Sequence, residues 1–275
     1  MLLHRILTAV IGVIAAIFIV NYGQWVFALA VLVLTMIAWH EFNNMMLRRE
    51  INIAYYLGLL NILFLWGIAW LGNSKETVAV ILLAAFLLLA KTIFSHARFS
   101  LRDAMYTLGG VIYIGLAFSH LVLLRFTDGS SSIVTALGSL PAGAAYLWLA
   151  FVGTWASDTF AFFIGTWFGK HKLAPAISPS KTWEGLIGGV VGSMIATFTL
   201  GYLWHLASLH TIFIGLFIGI VAPLGDLVES AIKRFSGVKD SGRILPGHGG
   251  VLDRFDSILF TVPTVYYYIY IFLIR

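Results

Sequence analysis

Carboxylates and cations are few in this chain, and they crowd toward its C-terminal end. Between Ser230 and Asp256 lie Lys233, Arg234, Lys239, Asp240, Arg243, Asp253, Arg254 and Asp256, interleaved with Gly237, Gly242, Gly247, Gly249 and Gly250. Just upstream, helical spacing puts Asp226, Glu229, Ser230 and Lys233 on one face of an otherwise oily segment. Oxygen ligands of this kind suit a hard divalent cation, so Asp226, Glu229, Asp253 and Asp256 are the candidate metal ligands. Two other readings stand beside this one. Asp226 could pair with Lys233 or Arg234 and anchor a helix end, and Asp253 could cap the helix that follows it.

Basic side chains beside glycine-rich backbone suit a polyphosphate: the cations take non-bridging oxygens, and glycines let N–H groups approach. Lys233, Arg234, Lys239, Arg243 and Arg254 either serve in this way or simply carry the positive-inside signal. Of these, Lys233, Arg234, Lys239 and Arg254 are the candidate phosphate contacts, with Asp240 and His248 in the same loop and Ser230, Gly249 and Gly250 as substrate-facing positions. A second polar stretch offers Ser178, Ser180, Lys181 and Thr182, which lack the glycines of a Walker loop. Asp158 stands inside an apolar run, where an ionised side chain is costly unless it pairs, meets water or binds a cation. His40 with Glu41, His96, His120, His205 and His210 have no metal-ligand spacing and read as interfacial or loop residues. There is no cysteine, which excludes disulfides and thiolate chemistry.

The elements that must position these residues are set by composition. Of 275 residues, 60% are hydrophobic and 11% charged, against roughly 25% charged in a soluble domain. The apolar runs are long and unalternating, which favours membrane helices over a barrel. They predict an all-α, polytopic integral-membrane protein with about nine spans, near 4–20, 25–40, 53–71, 77–94, 106–124, 144–168, 184–204, 211–230 and 257–274. The first run is read as a retained span, because no small-residue cleavage site follows it. With this segmentation, 14 of the 17 Lys and Arg residues fall on one side and 3 on the other. The positive-inside rule assigns the richer side, with the N-terminus and both polar loops, to the cytoplasm of a cytoplasmic membrane, and the C-terminus to the outside. The net charge of +5 is then explained by topology and anionic headgroups, with no nucleic-acid partner implied. No repeat or linker divides the chain, so residues 1–275 are expected to form one membrane domain whose chemistry lies at roughly 150–260.

At this point the loop resembles a known family. Ser230, Lys233, Arg234, Lys239, Asp240, Pro246, His248, Gly249, Gly250, Asp253, Arg254 and Asp256, at their spacing, are similar to the signature of the phosphatidate cytidylyltransferases. Asp226, the Ser178 to Gly185 segment and the Asp158 region are also similar to family sequence, so the likeness covers roughly 150–260. The resemblance implies a polytopic helical enzyme, commonly a homodimer. It would make CDP-diacylglycerol and pyrophosphate from CTP and phosphatidic acid at the bilayer with Mg2+ or Mn2+ and room for a second cation. It further implies that Asp226 and Asp253 lead the metal ligands, that Lys181 reaches the triphosphate or the lipid headgroup, and that His248 orients a phosphate or the nucleotide. Two rivals are distinguishable. A CDP-alcohol phosphotransferase would carry an Asp-Gly-x2-Ala-Arg pattern, which is absent, and a cation-coupled transporter would use Asp158 and Asp226 as ion sites but does not need so charged a loop.

Overall fold

A computed structural model describes residues 2–72, 74–128, 131–135, 138–244 and 249–274, with side chains omitted for 2–9 and 74. His248 is the one expected site residue outside the described residues. In chain order the helices are α1 (Leu2–Tyr22), α2 (Gln24–Leu47), α3 (Tyr55–Trp70), α4 (Thr77–Phe94), α5 (Leu101–Gly110), a π-helical turn (Val111–Leu116) and α6 (Ala117–Phe126). A hairpin of β1 (Ser132–Thr135) and β2 (Gly138–Pro141) leads to α7 (Ala142–Phe168). A second hairpin of β3 (Lys172–Ala174) and β4 (Ser178–Thr182) leads to α8 (Trp183–Leu203). The chain ends with α9 (Ser208–Ser236), the short α10 (Leu252–Phe255) and α11 (Ile258–Phe272).

The fold is helical, as the apolar runs predict, and each expected span falls on helix. Six helical stretches among the described residues are long and apolar enough to cross a membrane: α2, α4, Leu101–Phe126, α7, α8 and α9. Val10–Tyr22, the part of α1 whose side chains are described, α3 and α11 are shorter apolar helices, so six of the nine expected spans meet that length among the described residues. Phe86, Phe94, Phe162, Trp167 and Ile187 point outward along or beside these helices, an exposure that lipid accommodates and water would penalise. The all-α expectation needs one addition, the two small antiparallel hairpins.

The described residues form two compact units, Met1–Leu123 with Lys233–Arg254, and Leu124–Ile232 with Phe255–Arg275. Neither unit is a single consecutive stretch, so no linker separates them. In the first unit, Trp39 on α2 donates from its indole nitrogen to the Tyr55 carbonyl at 3.1 Å. Its ring fills the space over Gly58 and Gly110, where any Cβ would collide with it. The start of α5 is a capping box between Ser100 and Asp103, and the same Asp103 accepts from the Asn52 N–H at 2.8 Å. This satisfies helix-end donors and ties α5 to the loop before α3.

In the second unit, α7 and α8 meet through small residues. Gly185, Gly189, Ser193 and Thr197 recur every fourth residue on α8, opposite Gly153, Ser157, Ala161 and Gly165 on α7. A Cβ at Gly185 would strike the Ala161 carbonyl, and one at Gly189 would crowd that of Ser157. Without a hydrophobic drive between helices in lipid, such close backbone approach supplies the packing. The Thr154 hydroxyl lies 2.9 Å from that of Thr261 and links α7 to α11.

Candidate active site

In the second unit, four elements bring charge together. The β3–β4 hairpin pairs Lys172 with Thr182 and Ala174 with Ser178, and its second strand delivers Lys181. The Lys181 ammonium reaches Oδ2 of Asp226 on α9 at 2.6 Å. Oδ1 of Asp226 accepts from the Ser230 hydroxyl one turn later at 3.3 Å. Gly225 lets the turn before α11 lie directly against α9, since a Cβ there would run into the Asp256 carbonyl oxygen. Asp256 is thereby held close enough to feel Asp226 and, on α7, Asp158. Burial and the negative charges of Asp226 and Asp158 push its carboxyl up to about 7, although Lys181 and the Ser257 N–H, 2.7 Å from Oδ1, work against that rise. Lys181 thus acts on a group of three carboxylates, Asp226, Asp256 and Asp158.

In the first unit, Asp253 is enclosed by donors. Lys233 donates to Oδ1 at 2.7 Å. Oδ2 accepts from the Ser241 N–H at 2.8 Å, the Ser241 hydroxyl at 2.9 Å and the Gly250 N–H at 2.8 Å. Burial alone would raise the pKa of this group. The bonds from Lys233, Gly250 and Ser241, with the Lys233 charge, outweigh it and hold the carboxyl at about 2. Gly249 has a φ of +82° and would carry a Cβ into the same carboxylate, so two constraints call for glycine there.

For several expected site residues the positions bear on their roles. Asp158, Lys181, Asp226 and Asp256 are brought together, and Ser230 joins them through Asp226. Asp226 takes Lys181 as its cation, whereas the sequence offered Lys233 or Arg234. Asp253, an expected metal ligand, has both oxygens engaged by protein donors. Glu229 is buried on α9. Thr182 is buried and its hydroxyl is the N-cap of α8, accepting from the Gly185 N–H at 3.1 Å. Ser178 is half-buried and Ser180 exposed, as are Arg234, Lys239, Asp240 and Arg254. Gly250 is buried against Ser241.

Among the described residues, no three His, Asp or Glu side chains converge closely enough to coordinate one ion unaided. The acidic cluster still fits a hard cation in donor type. Mg2+ in particular keeps several waters and commonly takes only one or two carboxylates together with substrate phosphates, so a complete protein cage is not required.

One residue that spacing did not single out is Glu41. It lies inside α2, 3% exposed, and its carboxylate accepts from the N–H groups of Val251 at 2.9 Å and Leu252 at 3.0 Å and from the Ser241 hydroxyl at 3.2 Å. The usable signal was the run Ala38, Trp39, Phe42, Met45 and Met46, whose helical spacing carries α2 past residue 40 and leaves Glu41 facing inward.

Comparison with known proteins places this geometry. A profile of the cytidylyltransferase family matches residues 3–272. The phosphatidate cytidylyltransferase of Bacillus subtilis (strain 168) is 35% identical over 280 residues, covering 98% of each chain. The enzyme of that name from Staphylococcus saprophyticus is 36% identical over 265 residues, 94% of this chain and 95% of its own. That of Staphylococcus aureus (strain COL) is 36% identical over 263 residues with the same coverage. With the match running almost end to end through both charged clusters, the chain belongs to the cytidylyltransferase family.

Proposed function

We infer that this chain transfers the cytidylyl group of CTP to phosphatidate, releasing pyrophosphate and leaving CDP-diacylglycerol in the bilayer. The observation that carries this reading is coverage: relatives named for that activity align over 94–98% of the chain, and the family profile spans residues 3–272. A phosphatidate oxygen attacks the α-phosphorus of CTP, the bond to the oxygen bridging to the β-phosphorus breaks, and pyrophosphate departs with the electron pair. The attacking phosphate monoester has a second pKa of about 6, so it is already mostly dianionic near neutral pH and needs no strong base.

The chief obstacle is charge, since two anions must meet and the leaving group gathers more. Lys181 supplies a half-buried ammonium beside the acidic cluster. Lys233, Arg234, Lys239 and Arg254 are proposed as phosphate contacts on residue type, and His248 as an orienting group. Mg2+ or Mn2+, when bound, would neutralise non-bridging oxygens and the departing pyrophosphate. Asp226, Asp256 and Asp158 are the proposed donors for such an ion, with Glu229 in support. Asp253 is proposed as an organiser of its loop. The transporter reading is not favoured, because the family match accounts for the intramembrane carboxylates.

The positive-charge asymmetry further supports a cytoplasmic-membrane location with the polar loops and N-terminus in the cytoplasm, where CTP is, and the C-terminus outside. A homodimer is proposed from the family resemblance. The direct test is the purified chain in detergent with labelled CTP and phosphatidic acid, across Mg2+ and Mn2+. A lipid-linked cytidine nucleotide and pyrophosphate are expected, and a folded protein giving neither under any condition overturns the reading.

A further inference from the structure

Two donors in the first unit sit where they would be costly if left alone. The Val251 and Leu252 N–H groups open the short helix α10, where backbone donors have no helical acceptor. Both residues are buried, with Val251 at 1% and Leu252 at 0% exposure, so water cannot serve in place of a protein acceptor. Glu41 meets both, one carboxylate oxygen to each, and also takes the hydroxyl of Ser241. The approach is possible only because Gly242 and Gly250 have no side chains, since a Cβ at either would run into the Glu41 carboxylate. Ser241 is shared: its one hydroxyl proton lies between Glu41 at 3.2 Å and Asp253 at 2.9 Å, and the other oxygen of Asp253 holds Lys233. A chain of contacts therefore runs from Glu41 through Ser241 to Asp253 and Lys233.

The same helix grips the other end of the segment. Arg49, just past the end of α2, donates from Nε to the carbonyl of Phe235 in the last turn of α9. Its guanidinium lies 5.6 Å from the centre of the Phe235 ring, which stacks on Tyr106. Both ends of the segment 235–252 are thus tied to α2 or the residues after it.

We propose that Glu41 is a positioning residue for the cytidylyl transfer: its carboxylate fixes Ser241, Val251 and Leu252, and through them sets Asp253 and Lys233. This rests on the reaction proposed above, so the wild-type chain must first form the lipid-linked nucleotide, and failure at that step concerns the reaction and not Glu41. Glu41→Gln keeps the size of the side chain but turns one acceptor into an NH2 donor facing a backbone N–H. Turnover should fall by about 10- to 100-fold, the usual cost of losing an outer partner of a site, with KM for CTP and for phosphatidate little changed. Amide hydrogen exchange should rise in peptides covering Ser241 and 249–255 and stay at wild-type levels elsewhere, a local signature that general destabilisation would not give.

Wild-type turnover in Glu41→Gln, or exchange that rises evenly over the whole chain, overturns the proposal. Should that variant fail to fold, the wild-type protein alone decides. The Val251 and Leu252 amides must then exchange far more slowly than free amides, and fast exchange there overturns the proposal equally.

Discussion

Lys233 donates to one oxygen of Asp253 at 2.7 Å, and the other oxygen of that carboxylate accepts three bonds from Ser241 and Gly250. An aspartate engaged in this way behaves as the centre of a folded loop. That separates it from Asp256, whose carboxyl is pushed up by burial and by the nearby charges of Asp226 and Asp158.

Asp253→Asn tests that distinction. The amide keeps a single carbonyl oxygen and turns an NH2 toward either Lys233 or the Ser241 and Gly250 donors, so one side of the arrangement must fail. Turnover is expected to drop about 10-fold or more while the Mg2+ concentration giving half-maximal rate stays where it is in the wild type. A shifted half-saturation, with the rate recovered at high Mg2+, would return Asp253 to the list of metal ligands.

Gly225→Ala tests how the acidic cluster is built. The added methyl group meets the Asp256 carbonyl oxygen and the Ser257 Cα, and backbone atoms cannot swing aside as a flexible side chain would. Overpacking of this kind costs typically about 1–3 kcal/mol. The variant should therefore melt earlier and lose activity beyond its loss of folded protein, because the turn carrying Asp256 is moved off α9. Activity proportional to the folded fraction would show that the contact serves stability alone.

Hydrophobic runs made the helices and most of their limits legible, because a bilayer leaves helix as the cheapest way to satisfy backbone groups. The misses lie at the ends. Reading α2 as finished at residue 40 left Glu41 in a loop, when the buried Phe42, Met45 and Met46 continue the helix to Leu47. The apolar span of α9 stops near 230 in the sequence, while the helix, whose spacing is legible as far as Lys233, runs to Ser236. The charged residues of the site were readable as types, and the partner of each was not. Lys181 lies 45 positions from Asp226, and no local spacing rule links a hairpin to a helix that far away. The β3–β4 pairing that presents Lys181 also escaped notice, since a three-residue strand leaves too little alternation to detect.

Orientation can be read from thiol labelling, because the native chain contains no cysteine. Ile244, half exposed in the charged loop, and Ser208, exposed at the start of α9, are the two positions to compare. An impermeant reagent added to intact cells should modify Ser208→Cys and spare Ile244→Cys until the membrane is opened. The reverse pattern would place the charged loop outside and remove the cytoplasmic assignment.

Asp256 offers a prediction in which pH and metal are linked. Its carboxyl is held up to about 7 in the folded protein against an ordinary value of 3.8. Between those two pH values the folded state keeps a proton that the unfolded state has released. Folding stability contributed by this group therefore falls as pH rises from about 4 to about 7 and levels off above, the sign required by proton linkage. Asp256→Asn cannot ionise and still offers a carbonyl oxygen to the Ser257 N–H. In metal-free detergent solution, the melting temperature of the wild type relative to Asp256→Asn should decline from pH 5 to pH 8. Added Mg2+ should restore the wild type most at pH 8, where the carboxylate is free to meet it, and should do less for the variant. Parallel pH curves for the two proteins, with and without Mg2+, would mean that Asp256 neither carries the buried charge nor receives the cation, and would leave Asp226 and Asp158 to account for metal binding.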